Sequence, residues 1–174
     1  MFSLHAVRRA TVASLAIAIF ACGAWAETVN SSQWGFSATF PCQSEVTTKP
    51  VATAHGNLTL TSYACHEGER KYAIAFADLP AGSITKETAD VGYDAAVRSI
   101  ASAAGGNIRS VIVYPLGDVS GRDVLVDIPS NKKTIHSRLY YLGDRQFHVE
   151  FYGPTGEENR KDCLDFLNSF AAVK

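Results

Sequence analysis

TIHSRLYYLGDRQFHVEFYGP, residues 134–154, holds two alternating runs on either side of Gly143-Asp144. A period of two marks strands, and a short Gly-containing break between them marks a hairpin. In the first run Ile135, Ser137, Leu139 and Tyr141 share one side, with His136, Arg138 and Tyr140 on the other. In the second run Phe147, Val149 and Phe151 oppose His148, Glu150 and Tyr152. Which sides meet depends on the loop, because a slip of one residue turns every side chain over. A two-residue turn pairs Arg138 with Val149 and sets polar against apolar. A three-residue loop or a bulge pairs Leu139 with Val149 and keeps both faces consistent, so that register is expected. It aligns His136 with Tyr152, Arg138 with Glu150 and Tyr140 with His148. Such a patch suits an anionic or polar ligand. Plain cross-strand pairing on a solvated face accounts for the same residues, at about 0.2–1 kcal/mol per pair. Asp123 and Asp127, one strand earlier, extend the patch if the strand order allows.

Upstream, WGFSATF (34–40), LTLTSYACH (58–66) and KYAIAFADL (71–79) alternate in the same way, the last two forming a hairpin about Glu67-Gly68-Glu69. Residues 41–57 read as a break at Pro41 and a polar loop. From about Thr85 the period changes: Ala89, Tyr93, Ala96, Val97, Ile100 and Ala104 form one face of a helix that Gly105-Gly106 stops. IRSVIVY (108–114) and RDVLVDI (122–128) follow, then the hairpin quoted above. Thr155-Gly156-Glu157-Glu158 reads as a capping box opening a last helix, whose apolar stripe is Cys163, Phe166, Leu167 and Phe170. Three strands, a helix, four strands and a helix make an α+β fold. The expected architecture is an antiparallel sheet of six to seven strands with two main helices packed on it.

The first 26 residues have the three parts of an export signal: Arg8-Arg9, an apolar run to Ala21, and Ala24-Trp25-Ala26 as a small-x-small cleavage site. That run is shorter than the roughly 18 residues a membrane span needs. Ile19-Phe20-Ala21-Cys22 partly matches a lipobox, but Phe20 fits it poorly, so cleavage near Ala26 is preferred to lipidation at Cys22. The expected location is periplasmic or secreted. Residues 27–174 then form a single domain, and loss of the leader removes two of 16 basic residues and none of 17 acidic ones. A slightly acidic chain with no basic run longer than Lys132-Lys133 has no electrostatic footprint for nucleic acid. No window after residue 26 is apolar enough to span a membrane, and a monomer is expected.

FSATFP, YAIAFADLP, a helix ending in Gly-Gly, GRDVLVDIP, RLYYLGDRQFHVEFYGP and FLNSF, in that order, resemble exported bacterial proteins with a PsbP-like (PsbP/DcrB-type) α/β sandwich. The resemblance runs from about Trp34 to Phe170 and implies an α/β/α sandwich used as a binding module. It carries over no catalytic residue. It also implies that the strands ending near Cys42 and Cys65 lie close together, which in an exported protein points to a Cys42–Cys65 disulfide. That bond closes a 23-residue loop and is worth about 3 kcal/mol in the chain-entropy model. Without C-x-x-C spacing it is a staple rather than a redox pair.

Cys163, on an apolar stripe, reads as a small buried hydrophobe. His66 and Glu67 then read as a solvated turn, although with His55 they leave room for a weak metal site. No four-ligand zinc spacing and no haem-attachment motif is present. G-x-S-x-G, H-E-x-x-H, phosphate-loop and dinucleotide motifs are also missing. No cofactor is implied. The expectation is an exported binding or accessory module for an envelope protein or a small polar ligand. The alternative is a small hydrolase working through His136, Arg138, His148 and Glu150. The two differ in whether those four side chains converge in a cleft.

Overall fold

A computed structural model describes residues 26–53 and 56–173. Residues 1–25 of the expected 26-residue leader, Cys22 among them, and also His55 lie outside the described residues. In chain order the elements are β1 (Glu27–Ser31), β2 (Phe36–Phe40), β3 (Glu45–Thr53), β4 (Gly56–Glu67), β5 (Arg70–Asp78) and α1 (Lys86–Ala104). β6 (Asn107–Leu116), β7 (Val119–Ile128), β8 (Lys133–Leu142), β9 (Arg145–Pro154), α2 (Lys161–Ser169) and β10 (Ala171–Ala172) complete them. The fold is α+β, as expected.

The main sheet has seven antiparallel strands in the order β3-β4-β5-β9-β8-β7-β6. A second, three-stranded sheet has the order β1-β2-β10. The WGFSATF segment therefore does not belong to the main sheet. Its expected place is taken by β3, within the stretch read as a loop. β3 is an edge strand with little apolar alternation, and Pro50 is tolerated there because an edge position needs no donor on its open side.

The two faces of the main sheet carry separate cores. Over one face α2 and the small sheet gather Phe36, Phe40, Tyr72, Ile74, Phe147, Phe151, Phe166 and Phe170, all buried. Over the other face α1 sets Tyr93, Val97 and Ala101 against Val124, Val126, Ile135 and Leu139. α1 begins and ends as the sequence indicates: Thr85 and Thr88 form a reciprocal cap, and Gly105 closes the helix at a left-handed φ of 60°.

α2 corrects the sequence reading. It starts at Lys161, with no side-chain cap at Arg160. Arg70 donates to Glu157 at 2.6 Å, while Glu158 takes Arg109 at 2.6 Å on one oxygen and the Gly156 amide at 2.7 Å on the other. These charge-assisted bonds from neighbouring strands, about twice as strong as neutral ones, hold the two carboxylates in the turn ahead of α2.

The Cys42–Cys65 disulfide is present, with Cα atoms 5.8 Å apart. Cys42 follows β2 in the small sheet and Cys65 lies on β4 of the main sheet. The bond therefore ties two layers together rather than two strands of one sheet.

Candidate functional site

The hairpin register decides which polar side chains meet. β8 and β9 join through the two-residue turn Gly143-Asp144, with Leu142 opposite Arg145 and Arg138 opposite Val149. Gly143 has a φ of 64°, the left-handed value that the first position of a primed hairpin turn requires. The three-residue loop expected from matching faces is thus not formed, and the pairs His136–Tyr152, Arg138–Glu150 and Tyr140–His148 do not exist. The reason is burial. β8 is covered on both faces, with every residue from Thr134 to Tyr141 buried, so neither side of it has to match a solvated side of β9. His136, Arg138 and Tyr140 lie on the α2 face, and His148, Glu150 and Tyr152 lie on the α1 face.

On the α2 face the polar groups satisfy one another. Asp123 of β7 accepts from His136 Nε2 at 3.0 and 3.1 Å and from Arg138 Nε at 3.0 Å. His136 Nδ1 donates to the Glu158 carbonyl at 2.9 Å. Both ring nitrogens are thus engaged, one by a carbonyl and the other by a carboxylate. The Arg138 guanidinium lies 3.8 Å from the centre of the Tyr114 ring, a cation–π contact. Burial alone raises the Asp123 carboxyl, but the hydrogen bond and charge of His136, and then those of Arg138, outweigh it and hold the group below the usual carboxylate range. Nearby, Arg109 bridges Asp127 and Glu158. The Cys163 thiol donates to the Glu158 carbonyl at 3.2 Å, and burial pushes its pKa up to about 12. That is a buried hydrophobe and not a nucleophile. With His136 5% exposed and Arg138 4% exposed, this network is interior. Asp123 does extend the sequence-derived cluster, on this face alone.

The α1 face is open on one half. α1 covers β7 and β8, leaving beside it a groove of ≈ 250 Å³ over β4, β5 and β9, lined by Leu60, Ala75, Ala77, Ala96, Ser99, Ile100 and His148 among others. The alternation of YAIAFAD sets bulky Tyr72, Ile74 and Phe76 toward the aromatic core and alanines toward this groove. That signal was visible in the sequence and passed unused. At one end of the groove His148 Nε2 lies 2.8 Å from Ser137 Oγ and 3.3 Å from Glu150 Oε2. Lys71 reaches the other oxygen of Glu150 at 3.8 Å. The His148 side chain keeps 23% exposure, yet crowding around the ring holds its pKa below the ordinary histidine value, only partly offset by Glu150.

Ser137, His148 and Glu150 have the composition of a nucleophilic triad without its geometry. Serine and carboxylate sit at the same ring nitrogen, so the ring cannot take a proton from one while being oriented by the other. Ser137 is also fully buried. Tyr152 stands apart, its hydroxyl accepting from Asn131 Nδ2 at 3.0 Å. Among the described residues no three His, Cys, Asp or Glu side chains gather as a metal site, and no helix is long and apolar enough to cross a membrane. His66 is exposed on β4, opposite Lys71. The chain matches no family model and no curated protein.

Proposed function

We propose that this chain is an exported binding or accessory module of the PsbP-like type, which engages a small polar ligand or an envelope protein through the open half of its α1 face. One observation carries the reading: the groove beside α1 has a floor of alanines and the polar side chains Ser99, Gln146 and His148 in its lining, with Glu150 beside His148. Small floor residues leave room for an incoming group. The polar side chains supply hydrogen bonds, the mix of apolar surface and few polar groups typical of binding sites. The hydrolase alternative needs His136, Arg138, His148 and Glu150 in one cleft, and they lie on opposite faces of the sheet. Export is supported by the disulfide, since such bonds persist in oxidising compartments.

The test is capture from envelope extract with residues 27–174 as bait, beside an Ala75→Trp variant that fills the groove. A partner or ligand retained by the native chain and lost with the variant is the expected result. Retention of the same partner by Ala75→Trp would move the binding surface elsewhere.

A further inference from the structure

The two edges of the main sheet are not alike. β3 carries Lys49 and Pro50 in mid-strand, devices that discourage pairing with another strand. β6 instead exposes Ile108, Val111, Ile112 and Val113, at 44, 41, 57 and 63%. These side chains alternate between the two faces, so the apolar surface wraps around an edge that pairs with no further strand among the described residues. Between Ser110 and Leu116 there is no charged residue. The usual interruptions stand only at the ends of this stretch: an irregularity between Ile108 and Ser110, and Pro115 near the turn. The stretch free to pair is therefore Ser110–Tyr114, and its centre is Ile112.

We propose that β6 is the edge through which two copies of this chain pair, antiparallel, with Ile112 on the two-fold axis. The hydrogen-bond pattern carries the register. β6 and β7 meet at a two-residue turn, Gly117-Asp118, with Leu116 opposite Val119. Residues flanking such a turn bond to each other. Leu116, Tyr114 and Ile112 thus direct their amides and carbonyls to β7, while Val113 and Val111 direct theirs to the open edge. With Ile112 on the axis, Val111 of one copy stands opposite Val113 of the other, and each outward amide finds an outward carbonyl. Ile112 meets its own copy in a non-hydrogen-bonded pair, the type that brings side chains closest. The order Val-Ile-Val reads the same in both directions, and no like charges are brought together. This self-complementarity favours a second copy over a foreign strand. A contact of one short strand per copy falls below the ~1,200 Å² of standard interfaces, so the dimer is transient and concentration-dependent.

Single cysteines at the edge of a chain of residues 27–174, which lacks Cys22, test the register, because Cys42 and Cys65 are bonded and Cys163 is buried. Under diamide, which takes up the two electrons, Ile112→Cys should become a covalent dimer about tenfold faster than Val113→Cys, since only a residue on the axis faces itself. In a second arm, Val111→Cys and Val113→Cys chains mixed with a short bis-maleimide should cross-link faster than either alone. Circular dichroism checks that each variant is folded. Equal rates at 112 and 113, no gain on mixing, or a native chain that sediments as a monomer up to millimolar concentration would each overturn the proposal.

Discussion

Asp123 is the residue on which the interior network turns, because its carboxylate pairs with both His136 and Arg138. Asp123→Ala strands two buried donors and should cost about 3–5 kcal/mol, read as a lower urea midpoint. Replacing Asp123, His136 and Arg138 together with apolar residues of similar size should cost far less, since no charge is then left unpaired. The network also sets an acid limit. The folded carboxyl of Asp123 is depressed, so its stabilisation is present above the ordinary carboxylate range and is lost as pH falls through the folded value. His148 acts earlier. Its folded ring resists protonation while the unfolded ring takes a proton below about 6.5. The unfolded state then binds more protons, and stability falls as pH drops below that point. Urea midpoints from pH 7.5 to 5 should decline in the native chain and decline less in His148→Leu. Equal slopes would mean that the His148 ring is not held neutral by the fold.

At the scale of elements, most strands and both helices were legible because each has a single buried face that leaves its period in the sequence. The β8–β9 register was not, and the reason is local. A matched-face argument assumes that one side of each strand is wet, but β8 is buried on both sides and its polar side chains are satisfied by Asp123 and Glu158. Nothing in residues 134–154 announces those partners, which come from β7 and from the turn before α2. β3 escaped for the opposite reason: an edge strand with few buried side chains keeps no period to read. The candidate site suffered with the register. Of the six residues grouped from the sequence, His136 and Arg138 belong to an interior network, Tyr140 to the aromatic core and His148, with Glu150 beside it, to one end of a surface groove, while Tyr152 stands apart; the alanines of β5 went unremarked. The disulfide pairing was anticipated, but its role differs, because it joins the small sheet to the main one. Cys42→Ser/Cys65→Ser should lower stability by about 3 kcal/mol while leaving the main-sheet signal in circular dichroism intact. A loss within a few tenths of a kcal/mol would show that α2 and the aromatic contacts hold the small sheet in place unaided.

The molecule as a whole sets its main sheet between two cores, and its cooperativity depends on whether those cores sense each other. On the α2 side Phe170 stacks on Tyr140 with centroids 5.4 Å apart and planes 3° from parallel, and it also touches Phe36 and Phe147. It thereby joins the small sheet, the main sheet and the end of α2. Just beyond it, β10 pairs with β2, and the Val173 amide donates to the Gly35 carbonyl at 3.0 Å. Phe170→Ala should cost about 3–5 kcal/mol and lower Tm by roughly 6–20 °C in a domain of this size. On the opposite face Val97 of α1 is buried against the other core and shares no cluster with Phe170. If the sheet between them is a rigid partition, the costs of Phe170→Ala and Val97→Ala should add within about 0.5 kcal/mol, with a single transition retained. An interaction energy well above that, measured by urea unfolding of the two single variants and the double, would mean that β8 shifts when either layer is loosened. The interior His136–Asp123–Arg138 network would then couple the two faces rather than fill one of them.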